Sequence, residues 1–184
     1  MSRKRNHRAR EVVISIETTG VRPDVDKIVS LSAIELLDRE VTVSNFHTLV
    51  DPQILISAVA TAVHGIDNIQ VNGHPVITDV LDELMVFIGE DPIVSHYGWF
   101  DISFINAVLL SENRKPIPKH RLIDTLEMAK ALFPDTPLSL EALLNRFDIT
   151  DQPMPPNIRL HDALLMAKIY QCLSSEKLKI GLDD

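Results

Sequence analysis

Apolar and polar residues alternate with a period of two in three early stretches. Glu11 to Glu17 contains the run VVISI. Lys27 to Leu37 alternates around Ile28, Leu31, Ala33 and Ile34, and Val41 to Val50 around Val41, Val43, Phe46 and Leu49. This period predicts three strands in a meander, broken at Gly20 and Pro23 and again at Asp38-Arg39. The first strand is the most apolar, which predicts a central place in the sheet. Helical spacing takes over afterwards. Ser57 to Val63 reads as a short helix. Thr78 is expected to cap a second helix, with Val80, Leu81, Leu84, Met85, Phe87 and Ile88 as its apolar face. Ile93-Val94-Ser95 reads as a buried strand, Phe100 to Leu110 as a helix and Leu122-Ile123 as a brief strand. Two helices follow, Leu126 to Leu132 and Leu138 to Phe147, separated by Pro134 and Pro137. A Pro-rich loop from Asp151 to Asn157 then leads to a last helix, Leu160 to Cys172. Strands first, then helices alternating with strands, predict one α/β domain with a mixed sheet of about five strands and helices on both faces.

Composition narrows the class. With 184 residues, 45% hydrophobic and 24% charged, the chain has the apolar content to bury a core and is not a disordered polymer. No run approaches the ~18 apolar residues of a membrane span. The basic N-terminus is not followed by the apolar stretch of a signal peptide. The single cysteine, Cys172, excludes an internal disulfide and a cysteine zinc site. A cytoplasmic protein with no membrane partner is expected. The net charge of −8 is uneven: residues 1–10 carry Arg3, Lys4, Arg5, Arg8 and Arg10 and no acid, leaving 13 basic against 26 acidic residues in the remainder. An acidic body argues against a broad nucleic-acid groove, whereas a basic arm still offers a local, salt-sensitive phosphate contact. The expected organisation is a basic flexible tail over 1–10, a domain over 11–176 and a C-terminal tail over 177–184.

Three places carry candidate chemistry. Strand alternation puts Ser15 and Glu17 on one face at the end of the first strand, followed by the small-residue turn Thr18-Thr19-Gly20. Ser95-His96-Tyr97-Gly98-Trp99-Phe100-Asp101 joins a strand to a helix and sets Asp101 in its first turn, where a carboxylate also faces the helix dipole. His161 opens the last helix, in LHDALLMA. Taken singly, each has an ordinary structural explanation.

Taken in order, they resemble the motifs of the DEDDh 3′–5′ exonuclease family, which includes polymerase proofreading subunits, ribonuclease T and oligoribonuclease. The resemblance covers roughly residues 11 to 175. Ala62-Val63-His64-Gly65-Ile66, Phe100-Asp101-Ile102-Ser103-Phe104 and Ile123-Asp124-Thr125-Leu126 support it between and around the motifs. It implies a ribonuclease H-like fold. It implies two divalent ions, Mg2+ or Mn2+, held by four carboxylates and clamping the scissile phosphate. It implies a histidine, here His161, as general base. It also implies that Thr18, Thr19, Gly20, His64, Gly65 and Ile66 hold a single-stranded 3′ end.

Two positions depart from the family pattern. Ser15 stands where the resemblance implies the first Asp, and Met166 where it implies the last. Glu17, Asp101 and His161 remain as catalytic candidates, with Glu17 and Asp101 left to hold at most one weak ion. A neutral hydroxyl and a thioether are poor magnesium ligands, and losing one preorganised electrostatic group costs ~10²–10³ in rate. Asp162 lies four residues before Met166, about 6 Å along a helix axis, and is not expected to replace it. The residues therefore predict a degenerate exonuclease-like protein that binds nucleic-acid ends with little or no cleavage. The alternatives are a weak metal-dependent exonuclease and a scaffold within a replication, repair or nucleic-acid-processing assembly.

Overall fold

The computed structural model describes residues 9–149 and 160–181. Five strands, β1 (Arg10–Thr18), β2 (Ile28–Leu37), β3 (Glu40–Leu49), β4 (Ile93–Ser95) and β5 (Leu122–Asp124), form one sheet in the order β3-β2-β1-β4-β5. β1 is central, antiparallel to β2 and parallel to β4. Its VVISI run is apolar on both faces because helices cover both faces. Val12, Ile14 and Ile16 pack into a core with α3 (Ile77–Ile88) and α4 (Gly98–Ser111). Val13 points the other way, into a second core with α7 (His161–Lys179). Smaller clusters seat α1 (Ala58–His64) and α2 (Asn68–Val71) against β2 and β3, and α5 (Thr125–Leu132) and α6 (Leu140–Arg146) against α7. Asp38 and Arg39 both adopt positive φ, as a tight hairpin turn between β2 and β3 requires. Among the described residues no helix is long and apolar enough to cross a membrane.

Several boundaries differ from the sequence expectation for identifiable reasons. Arg10 belongs to β1 and not to a tail. Its guanidinium donates to the carbonyls of Phe87 and Ile88 at the end of α3 and pairs with Glu35 and Asp91. Together with the buried Arg121, which donates to Gly89 O and Asp91 O, it satisfies the carbonyl end of that helix. Thr78 is not the cap of α3, which starts at Ile77 after Val76 with no side-chain cap. α2 was not expected; Asp67 and Gln70 form a capping box over this single turn. α4 begins two residues before Phe100, and α7 continues beyond Cys172 and residue 176 to Lys179. The basic residues before Ala9 and the Pro-rich loop lie outside the described residues.

Candidate functional site

The C-terminal ends of β1 and β4 and the N-terminal ends of α4 and α7 meet at one edge of the sheet. Val13, Ser15 and Glu17 share a face of β1 by alternation, and Val13 packs directly in the cluster that holds Met166. Ser15 and Glu17 are half-buried. Asp101, in the first turn of α4, is buried and accepts a hydrogen bond of 2.5 Å from Ser95 Oγ at the end of β4. His161 and Asp162 open α7, with Asp162 Oδ1 3.7 Å from His161 Nδ1. Burial lifts the Glu17 carboxyl to about 7, and the Asp162 carboxylate adds to the rise. Burial likewise lifts Asp101 to about 8; the Ser95 hydroxyl opposes the rise, and Glu17 and Asp124 reinforce it. These couplings put Glu17 within electrostatic reach of both Asp101 and Asp162.

Met166 is different in kind. Its side chain is buried with Val13, Val94, Leu160, Ala163 and Ala167, so an apolar group stands where the motif resemblance implies a ligand. Two divalent ions need a dense set of oxygen donors. Here the donors at β1, α4 and α7 are the Glu17 and Asp101 carboxylates, the neutral Ser15 hydroxyl and a half-exposed Asp162. Among the described residues, no three His, Cys, Asp or Glu side chains group as metal ligands. The residues present do not fit a two-ion centre.

A cleft of about 270 Å³ opens beside Glu17. Of the residues that the resemblance implies for end binding, Thr18, Thr19, Gly20 and His64 line it and Gly65 and Ile66 do not. Ile66 is buried in the core behind α1, and Gly65 ends α1 in the left-handed region at φ 73°. Their part is to place His64. The Ile66 N–H donates to Nδ1 of His64 (3.1 Å), so Nε2 carries the proton and donates to Thr18 O (3.2 Å). Burial lowers the pKa of this imidazole, consistent with that neutral form. The turn after β1 is self-supporting. Thr18 Oγ1 donates to Gly20 O, Thr19 Oγ1 accepts from Lys27 N–H, and Asp26 accepts from Arg22 N–H. A Cβ on Gly20 would lie 2.5 Å from the Asp26 carboxylate, so a larger residue there displaces that side chain from its hydrogen bonds to Thr19 and Arg22.

Apart from Ser57, the rest of the cleft wall is apolar: Val21, Val59, Val63 and Phe100 contribute, and the three valines are well exposed. Val63 and Phe100 stand in motif segments without being site candidates, and Val21 and Val59 lie outside the motifs. Val59 and Val63, four apart on α1 and away from its buried Ala60, carried the only signal, an apolar pair on the solvent side of a short helix. Asp124 was noted only as part of a resemblance, but it organises the site. It accepts the N–H groups of Tyr97 (3.1 Å), Gly98 (3.0 Å) and Leu126 (2.9 Å), capping α5 and fixing the segment that delivers Asp101.

A family model described as Exonuclease (RNase_T) matches residues 12–170. The chain is 31% identical over 183 residues to the DNA polymerase III subunit epsilon of Buchnera aphidicola subsp. Baizongia pistaciae, covering 95% of this chain and 75% of that one. It is 33% identical over 165 residues to the corresponding subunit of Rickettsia conorii, covering 88% and 72%. Among solved structures, exonuclease X in complex with 5′-overhanging duplex DNA superposes with a TM-score of 0.71 at 24% identity, covering 90% of this chain and 91% of the other. E. coli exonuclease I in complex with an oligonucleotide superposes with a TM-score of 0.78 at 14% identity, covering 94% and 42%. These two share the fold.

Proposed function

Because the chain belongs to the exonuclease family, we propose that it holds single-stranded 3′ ends of nucleic acid and cuts them little or not at all. One observation carries this reading: at the last carboxylate position of the family, Met166 is buried in an apolar cluster. Ser15 at the first position adds a second loss on the same face of β1. The cleft, by contrast, keeps Thr18, Thr19, Gly20 and His64 along one wall, which supports end binding. The terminal base and sugar would lie against Val59, Val63 and Phe100, with the backbone of Thr18 to Gly20 facing the strand and His64 bracing that turn. With no cation near, Asp101 would hold its proton at neutral pH and Glu17 would be only partly ionised, which reduces the repulsion of a nearby phosphate. His161 stays at the rim of the site, where the motif would use it as a base.

The relatives are named as polymerase subunits, which favours work inside a cytoplasmic nucleic-acid-processing assembly in addition to end binding. The test is direct. A fluorescent single-stranded oligonucleotide is titrated with protein, and its length is followed in magnesium and in manganese. Binding with the strand left intact is expected. Cleavage in manganese alone would favour a one-ion nuclease at Glu17 and Asp101. No binding at any salt would favour a scaffold that has left nucleic acid.

A further inference from the structure

We infer that Tyr97 and Trp99 form a stacking step for the bases that leave the terminal-nucleotide cleft, a step that rests on the end-binding reading above. Both rings are open to solvent, Tyr97 at 61% and Trp99 at 52%, although large aromatic side chains gain most from burial. They lie on the segment that carries Asp101, directly beside the cleft. Phe100 lines the cleft, and its ring lies 6.4 Å from that of Tyr97 with the two planes only 23° apart. On the other side, Tyr97 and Trp99 line a second hollow of about 380 Å³ with Lys119, Leu122, Asp124 and Glu127. Aromatic faces thus continue from the cleft outward.

The backbone supports a specific purpose for this placement. Tyr97 sits at φ 57°, ψ 42°, in the left-handed region that a bulky residue avoids. The strain is held by Asp124, which accepts the N–H groups of Tyr97 and Gly98. Strain of this kind persists where surrounding structure enforces it, and it turns the ring outward here. The charges suit a phosphate strand. Lys119 Nζ lies 5.8 Å from the Trp99 ring centre. Of the two acids, Asp124 is engaged by three backbone N–H groups and Glu127 is paired with Lys130 at 2.6 Å. Bases stacked on aromatic rings beside a cation are recognised by their π faces. Sequence matters little, and a base-paired strand has no free face to offer.

Trp99 is the only tryptophan in the chain, so its fluorescence reports this step directly. The probes are thymidine 5′-monophosphate, a short oligothymidylate, and the same oligothymidylate lacking the bases next to its 3′ nucleotide. The oligothymidylate is expected to quench Trp99. In W99A the ratio of oligonucleotide to mononucleotide affinity should fall about tenfold, as for loss of one stacked base, and W99F should restore most of it. The abasic oligonucleotide should bind wild type at least as weakly as W99A binds the full one, and W99A, left with Tyr97 alone, should distinguish the two strands less than wild type does. Binding of the mononucleotide and the full oligothymidylate with no quench and an unchanged ratio in W99A would overturn the stacking step and leave end binding standing. A W99A loss equal for normal and abasic strands would also overturn it, making Trp99 a structural or protein-facing residue. Failure of wild type to bind either probe would remove end binding and this step together.

Discussion

Glu17→Gln should stabilise the metal-free protein, and by an amount that depends on pH. The Glu17 carboxyl has an ordinary value of 4.5 and is lifted to about 7 by burial, with Asp162 adding to it. A raised value means that the folded state holds this proton more tightly than the unfolded state. Below about pH 4 both states are protonated and the substitution is nearly silent. As pH climbs from 4.5, the unfolded chain releases its proton first and the wild type loses stability, until the folded carboxyl also ionises at about 7. At about 1.4 kcal/mol per pH unit, that interval amounts to roughly 3 kcal/mol. Solvent at the half-buried side chain screens part of it, leaving about 1–3 kcal/mol. Glutamine has nearly the same shape and carries no charge, so it avoids this loss. Urea unfolding of wild type and variant in metal-free buffer gives the answer. The midpoints should coincide near about pH 4 and separate by about pH 8, with the variant the more stable and the slopes unchanged. Equal or lower stability of E17Q at the higher pH would refute the electrostatic argument.

Asp124→Ala removes the acceptor of three backbone N–H groups and should cost about 1–3 kcal/mol in urea unfolding. Gly20→Ala drives a Cβ into the Asp26 carboxylate; it should cost about 1–3 kcal/mol and weaken oligonucleotide binding, read by anisotropy, because the cleft turn must shift. Removing residues 1–8, which carry Arg3, Lys4, Arg5 and Arg8, should lower oligonucleotide affinity at low salt and flatten its salt dependence, measured by titration at several salt concentrations. The truncation must stop before Arg10, whose loss would expose the end of α3.

The sheet was legible because its signal is local. VVISI on a central strand follows from burial on two faces, and the alternation in β3 from burial on one; β2 alternates in sequence but is buried along nearly its whole length, Ser30 and Ser32 included. The start of α3 was misplaced because Thr78 is a good cap by type, whereas the chain enters the helix at Val76 and relies on Arg10 and Arg121 at the other end. Those arginines are distant in sequence, and nothing near them marks the contact. Motif spacing singles out Glu17, Asp101 and His161 as candidates, and the fold sets Glu17 and Asp101 within electrostatic reach of one another. The apolar cleft wall was not legible, because Val59, Val63 and Phe100 become a surface only when α1 and α4 are set against the end of β1. Asp124 shows the same limit: its three N–H partners lie in two segments that the sheet brings together.

The central claim is that the chain binds 3′ ends without cutting them because Ser15 and Met166 stand where ligands are needed. The measurement that tests it most directly compares wild type with the double variant Ser15→Asp, Met166→Asp on a 5′-labelled single strand in magnesium, under single-turnover conditions. Wild type should leave the strand at full length, the double variant should shorten it from the 3′ end, and each single variant should recover far less, because ligands act as a unit. Wild type that shortens the strand within about tenfold of the double variant's rate would contradict the claim. So would a folded double variant that binds magnesium and leaves the strand whole.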